Sequence, residues 1–304
     1  MKQLHVLLVH LGRHFSKLPV TPPIGVLSLA AWARTHVTGV RVSLIDQRIE
    51  HFDHEETMRR IVAMRPDVVG LSYMTDASSA IPEATKSIRQ ALPECTILLG
   101  GAHPSAVGGA ALEGTSADIA VEGEGEIVFE NILRALQEGG GFDEIPGIFR
   151  RLPDGGVTRN PGAAPLIANL DDVPFLAYDL LDLPRYWSAT SVSPTPPPRK
   201  YAVLFTSRGC PYRCIFCHHI FGKEFRAQSP ARIVAEMDYL ESQYGVLEFD
   251  FFDDIFNLDR QRACQFAEEV CRRGRRRLSM VNGLRTDILT QEVVDALTAA
   301  GMSA

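Results

Sequence analysis

The chain has 304 residues, 45% of them hydrophobic and 22% charged, with a formal net charge of −6. This is enough apolar material for two ordinary cores, and the mild acidity argues against a nucleic-acid surface. No apolar run reaches membrane-spanning length, and the start "MKQLHVLLVHLGRH" turns polar too soon for a signal peptide, so a cytoplasmic protein is expected.

Strands and helices alternate through the first part. "QLHVLLVH" reads as a strand, "PPIGVLSLAAWAR" as a helix, "VRVSLID" as a strand and "HEETMRRIVAM" as a helix. "DVVGLSY" and "TILLGG" are strands on either side of the helix "SSAIPEATKSIRQAL". "HPSAVGGAALEG" is a short helix, "ADIAVEGEG" a strand with its loop, and "EIVFENILRALQEG" a helix. Such alternation predicts an α/β doubly wound, Rossmann-like domain over residues 1–140, its parallel sheet covered on both faces. Ligands of such sheets lie beyond the carboxyl ends of the strands, here His10 to Arg13, Asp46 to Arg48, Ser72 to Thr75, Gly100 to His103 and Glu122 to Glu126. Glycines and small hydroxyls there suit a large flat ligand. "GEGE" lacks the third glycine of a dinucleotide fingerprint, and its glutamates would repel a pyrophosphate.

Residues 141–200 read as a connecting segment, with a hairpin around "PDGG", a crossing stretch "NLDDVPFLAYDLLDLPRYW" and the proline-rich linker "SVSPTPPPRK". The strand–helix rhythm resumes over 201–304. The strands are "YAVLFTS", "VLEFDFF" and "LSMVNGL"; the helices are "PARIVAEMDYLESQY", capped by Ser229, then "DRQRACQFAEEVCRRG" and "LTQEVVDALTAAG". "RRGRRR" at 272–277 is basic, but it falls where a helix ends and cations favour the helix dipole.

Six cysteines in a chain this long do not make a disulfide scaffold, and Cys95, Cys264 and Cys271 read as buried or inert thiols. "SRGCPYRCIFCHH" is different, because Cys210, Cys214 and Cys217 crowd into one loop shaped by Gly209 and Pro211. Three thiolates at this spacing can hold a four-iron cubane and leave one iron open to a ligand. The alternative is structural zinc with His218 or His219 as the fourth ligand.

The C-x3-C-x2-C pattern, with Phe216 before its last cysteine and a strand ahead of it, resembles the signature of the radical S-adenosylmethionine enzymes. "FRAQSPARIVAEM", "FFDDIFNLD" and "NGLRTD" are similar to segments of the subgroup that carries an N-terminal cobalamin-binding domain. "PPIGVLSLAAWAR", "VVGLSYMT", "LLGGAHPS" and "EGEGE" resemble segments of that domain. The resemblance implies a 4Fe-4S cluster on Cys210, Cys214 and Cys217, with S-adenosyl-L-methionine bound at the open iron and cleaved there to methionine and a 5′-deoxyadenosyl radical. It implies Phe216, Asp253, Asp254 and Arg285 near S-adenosylmethionine, and Pro23, Gly25, Ser72, Thr75, Gly100, Gly101, His103, Gly123 and Glu124 near cobalamin. No catalytic residue beyond the cluster ligands is implied.

The chain departs from the family in two places. The D-x-H-x-x-G string that puts a histidine on cobalt is absent, since Asp46 is followed by Gln47 and Arg48, and His10 and His14 lack its context; cobalamin without a histidine ligand is expected. The family barrel has six strands, whereas three follow residue 200 before "LTAAGMSA", where a fourth should begin. The resemblance therefore implies the first half of a partial (β/α)6 barrel, with "LSMVNGL" as an open edge and a second polypeptide as a candidate to complete it. The implied reaction is methylation of an unactivated carbon or phosphorus of a small molecule, with an electron donor such as flavodoxin or ferredoxin. The alternatives are an oxidative cyclase or rearrangement enzyme of the anaerobic porphyrin-ring type, a non-catalytic module that binds cluster or cobalamin, and a zinc-bearing interaction protein.

Overall fold

The computed structural model describes residues 2–12, 19–193, 196–218, 220–274 and 276–303. Arg13, His14, His219 and Arg275 lie outside the described residues. The chain divides into two compact units, Met1–Ser16, Gly25–Ile167 and Leu176–Leu181 in the first, and Lys17–Ile24, Ala168–Phe175 and Asp182–Ala304 in the second.

In the first unit, the elements run β1 (Leu4–Leu11), α1 (Ile24–His36), β2 (Val40–Asp46), α2 (Gln47–Glu50), α3 (His54–Met64) and β3 (Val68–Tyr73). They continue with α4 (Ile81–Ala91), β4 (Thr96–Gly100), α5 (Ala102–Val107), β5 (Ile119–Val121) and α6 (Glu126–Glu138). The parallel strands lie in the order β2-β1-β3-β4-β5. This is the doubly wound order whose ligand crevice opens between the first and third strands. Alternation along β1 explains why both faces need cover. Leu7, Val9 and Leu11 join Ile61 of α3 and Ile81, Ala84 and Ile88 of α4, while Leu4, Val6 and Leu8 join Val26 and Ala30 of α1 and Val128, Phe129 and Ile132 of α6. The hairpin expected in the connecting segment is β6 (Ile148–Arg151) and β7 (Val157–Arg159), and it extends this sheet antiparallel from β5.

The second unit begins its regular structure with α7 (Leu183–Ser188) and β8 (Tyr201–Leu204). Next come β9 (Ser207–Arg208), β10 (Arg226–Ala227), α8 (Pro230–Tyr244), β11 (Glu248–Phe251), α9 (Arg260–Arg272), β12 (Arg277–Met280) and α10 (Gln291–Ala299). Strands β8, β11 and β12 are parallel with β11 in the middle. Ser229 caps α8, its hydroxyl accepting from the Arg232 N–H at 3.1 Å, and Pro230 follows at the first helical position. The faces of this sheet differ. Phe251 meets Phe256, ahead of α9, and Phe266 of α9 edge to face at 5.3–5.4 Å. The fully buried Asp250 instead points to Arg199, whose guanidinium donates to Asp250 Oδ1 at 3.1 Å and to Oδ2, and lies 4.1 Å over the Tyr201 ring.

The open edge expected at β12 is not wholly open. The Leu278 N–H donates to Gly301 O at 3.0 Å and the Ser303 N–H to Leu278 O at 2.9 Å, so Met302 bridges β12 in parallel. Arg272, Arg273, Arg276 and Arg277 of the basic run pair with Glu268, Glu269, Asp238, Glu241 and Glu248. Among the described residues, no helix is long and apolar enough to cross a membrane.

Candidate metal centre and cofactor face

Beyond the carboxyl end of β8 the chain makes two residues of strand, loops out, and returns as β10. Ser207 pairs with Ala227 and Arg208 with Arg226, so an antiparallel clip closes the base of a loop over 209–225. Gly209 starts that loop at φ +82, and a Cβ there would stand 2.0 Å from the Glu224 carbonyl oxygen. Only glycine fits both the angle and that contact. Inside the loop, Phe221 is the packing centre, against Phe205 at 5.1 Å, His218 at 5.8 Å and the Arg208 guanidinium at 5.9 Å. The Cys210 N–H donates to Gly222 O, and the Cys217 N–H to Cys214 O in a turn.

All three loop thiols are free, with Cys210 and Cys214 half-buried and Cys217 exposed. Phe216 beside it is 90% exposed. Among the described residues, no three His, Cys, Asp or Glu side chains stand close enough for a single metal ion. A cubane does not ask for that, because each thiolate takes a different iron. Three free thiols on one exposed, clipped loop fit such a cluster. His218 makes its own contact, Nε2 to Asp254 Oδ1 at 3.1 Å, and that carboxylate holds its pKa above the ordinary histidine value.

The ends of β11 and β12 supply the surroundings of the loop. Asp253 is buried, accepting from the Thr206 N–H at 3.3 Å, from the Thr206 hydroxyl at 2.8 Å and from the Ser207 hydroxyl. Burial pushes its carboxyl pKa up, against the pull of Arg262 and these donors. The buried Arg262 of α9 donates to Thr206 O, Thr206 Oγ1 and Gln228 O, so it holds both feet of the clip. Asp254 reaches His218, and the Arg285 guanidinium lies 3.4 Å over the Tyr212 ring while pairing with Asp287 at 2.7 Å. Asp253, Asp254 and Arg285, expected near S-adenosylmethionine, thus all touch the three-thiol loop or its base. Tyr212, Arg262, Thr206 and Asn257, whose side chain exchanges hydrogen bonds with the Arg285 backbone, carry no signal in the sequence, because their partners lie tens of residues away.

In the first unit the candidate ligand face gathers at the carboxyl ends of β1 and β3 to β5. His103 Nδ1 meets Thr75 Oγ1 at 3.1 Å, and its ring leans on Tyr73 at 5.5 Å. Gly101 sits at φ +97, where a Cβ would stand 3.0 Å from both Ser72 Oγ and Tyr73 O. Gly100 and Gly25 have open space where a Cβ would be, which leaves bare backbone for a flat group. The Gly123 N–H donates to Ser105 Oγ at 3.0 Å, and Glu124 is buried. Pro23 is buried and belongs to the second unit. At the end of β1, His10 Nδ1 is buried with no hydrogen-bond partner. Burial and the nearby Arg48 push its pKa down to about 3. Asp46, the position from which a cobalt-binding histidine string would start, instead clasps Arg48 Nη2 at 2.7 Å. The open glycine backbone and the orphaned His10 nitrogen fit a ligand that lies on bare backbone and brings a polar edge.

Of the remaining cysteines, Cys95 is buried with its thiol pKa pushed up to about 11 by burial. Cys264 is half-buried and Cys271 exposed, so of these three thiols Cys95 is the buried one.

Residues 18–133 match the B12 binding domain family. Over 283 residues the chain is 30% identical to an uncharacterized methyltransferase of Pyrococcus horikoshii, covering 92% of this chain and 59% of that protein. It is 27% identical over 297 residues to the anaerobic magnesium-protoporphyrin IX monomethyl ester cyclase of Rubrivivax gelatinosus, covering 95% of this chain and 52% of that one. The fold matches the radical S-adenosylmethionine methyltransferase TsrM of Kitasatospora setae, solved with a tryptophan substrate and an S-adenosylmethionine analogue. The TM-score is 0.78 at 23% identity, over 99% of this chain and 58% of that one. The chain therefore spans 52% to 59% of the length of these three proteins. Residues 18–133 thus match a B12 binding domain, and likeness to methyltransferase and cyclase sequences and to the TsrM fold runs through both units.

Proposed function

We propose that this chain is the cobalamin-binding and cluster-binding portion of a radical S-adenosylmethionine methyltransferase acting on an unactivated carbon or phosphorus of a small molecule. The observation that carries the reading is the free three-thiol loop, clipped at its base and held by the ends of β11 and β12. When bound, a three-thiolate cluster supplies reductive cleavage of S-adenosylmethionine at its open iron, and cobalamin supplies a methyl carrier.

The protein's own residues do the holding. Cys210, Cys214 and Cys217 are the cluster ligands in this reading, and Phe216, exposed beside them, offers a ring face to S-adenosylmethionine. Asp253 and Arg262 fix the feet of the loop. The Gly100, Gly101, Thr75 and His103 face, with Gly25, Ser72, Gly123 and Glu124, is assigned to cobalamin without a histidine on cobalt. A flavodoxin or ferredoxin would deliver electrons in the cytoplasm, and a second polypeptide is one route to a complete barrel. In this reading residues 1–140 are the cobalamin domain and residues 201–304 the radical portion.

Oxidative cyclisation is the second reading, favoured by 27% identity across 95% of the chain to the Rubrivivax gelatinosus cyclase. The test is equilibrium dialysis of the full chain with hydroxocobalamin, followed by an anaerobic assay with S-adenosylmethionine and a reductant. Bound cobalamin with release of S-adenosylhomocysteine is expected. Bound cobalamin with 5′-deoxyadenosine as the sole product favours the cyclase reading, and absence of cobalamin binding sinks both.

A further inference from the structure

We propose that the Arg285 guanidinium on the Tyr212 ring, seconded by the Asp254–His218 contact, orders the three-thiol loop from outside before any cluster is present. The assignment of the three thiols to a cluster rests on the function proposed above; the ordering of the loop does not. Tyr212 and Arg285 are then positioning residues.

The base of the loop is a two-residue ladder, which is marginal by itself. Cys210 lies close to that base and gains from it, whereas Cys214 and Cys217 are far out along the chain. The two outside contacts bracket those distant thiols: Tyr212 precedes Cys214 by two residues and His218 follows Cys217 directly. The ring-bearing side of the bracket is itself prepared. The Arg285 N–H donates to Asn257 Oδ1 at 2.9 Å, and Asn257 Nδ2 donates back to Arg285 O at 2.9 Å. Asn257 is 2% exposed, so this exchange is shielded from water. The Asp287 carboxylate takes the guanidinium edge and leaves its flat face for Tyr212. A planar cation gripped by backbone and carboxylate stacks with little entropy left to lose. Lys223 Nζ adds a bond to Tyr212 O and ties that turn back across the loop.

The experiment uses the full chain without cluster and reads the iodoacetamide alkylation rate of each cysteine by mass spectrometry, with the exposed Cys271 as internal reference. Tyr212→Leu and Arg285→Gln are each expected to speed alkylation of the half-buried Cys214 by about 5- to 10-fold, the size of one lost cation–π contact acting on local opening. Tyr212→Phe keeps the ring and should stay within about twofold of the parent. The double variant should react no faster than either single one, because both remove one shared contact. Equal rates in all variants overturn the proposal, as does a Tyr212→Phe chain that reacts like Tyr212→Leu. Reconstituted chains should lose iron to a chelator in the same order. A parent that takes up no iron while alkylation shows the contrast overturns the cluster assignment and supports loop ordering.

Discussion

Gly209 shows how much one residue decides here. Its φ of +82 and the Glu224 carbonyl at 2.0 Å from a would-be Cβ leave no room for a side chain at the mouth of the thiol loop. Gly209→Ala should cost about 2–4 kcal/mol through the positive φ and the backbone shift forced by the clash. Urea unfolding followed by tryptophan fluorescence would read it; an unchanged midpoint would mean the loop entry relaxes freely. At this scale the sequence was legible where chemistry is crowded into a short string. Three thiols in one loop, and Ser229 before Pro230, announce their roles by spacing alone. Tyr212, Asn257 and Arg262 do not, because their partners are Arg285, Arg285 again, and Thr206 with Gln228. Nothing in a local window signals a contact across strand ends.

Among the elements, the long apolar runs were legible as β1 to β5 and as β8, β11 and β12, since a buried parallel strand is a continuous hydrophobic stretch. The clip of β9 and β10 was not, because two-residue strands carry no periodicity. The hairpin was read correctly as a hairpin, but only the fold gives its place on the edge of β5. The polar face of the short sheet was hidden as well. Asp250 sits within the apolar string "VLEFDFF", and its partner Arg199 lies in the proline-rich linker. Both side chains are buried, so removing one strands the other. Arg199→Met should destabilise the second unit by about 3–5 kcal/mol, and Arg199→Met with Asp250→Leu should recover most of it. Denaturant midpoints of the two variants check this, and a double variant no more stable than the single one would show that the pair itself is needed.

For the whole molecule, the fold class was readable because two independent signals agree in order along the chain: a doubly wound alternation, then a cysteine loop behind a new first strand. The match over 99% of the chain to a radical S-adenosylmethionine methyltransferase fold joins those signals in one architecture. Substrate was not readable, since the chain spans about half the length of the curated relatives it matches. The proposed function requires the three-thiol loop to hold a cluster. The direct measurement is iron and acid-labile sulfide per chain after anaerobic reconstitution, with low-temperature spin resonance before and after adding S-adenosylmethionine. About four irons and four sulfides are predicted in the parent, with a signal that S-adenosylmethionine shifts, and loss of both in Cys210→Ala, Cys214→Ala and Cys217→Ala but not in Cys95→Ala. A triple cysteine variant that keeps its iron, or a parent that binds none, would contradict the account.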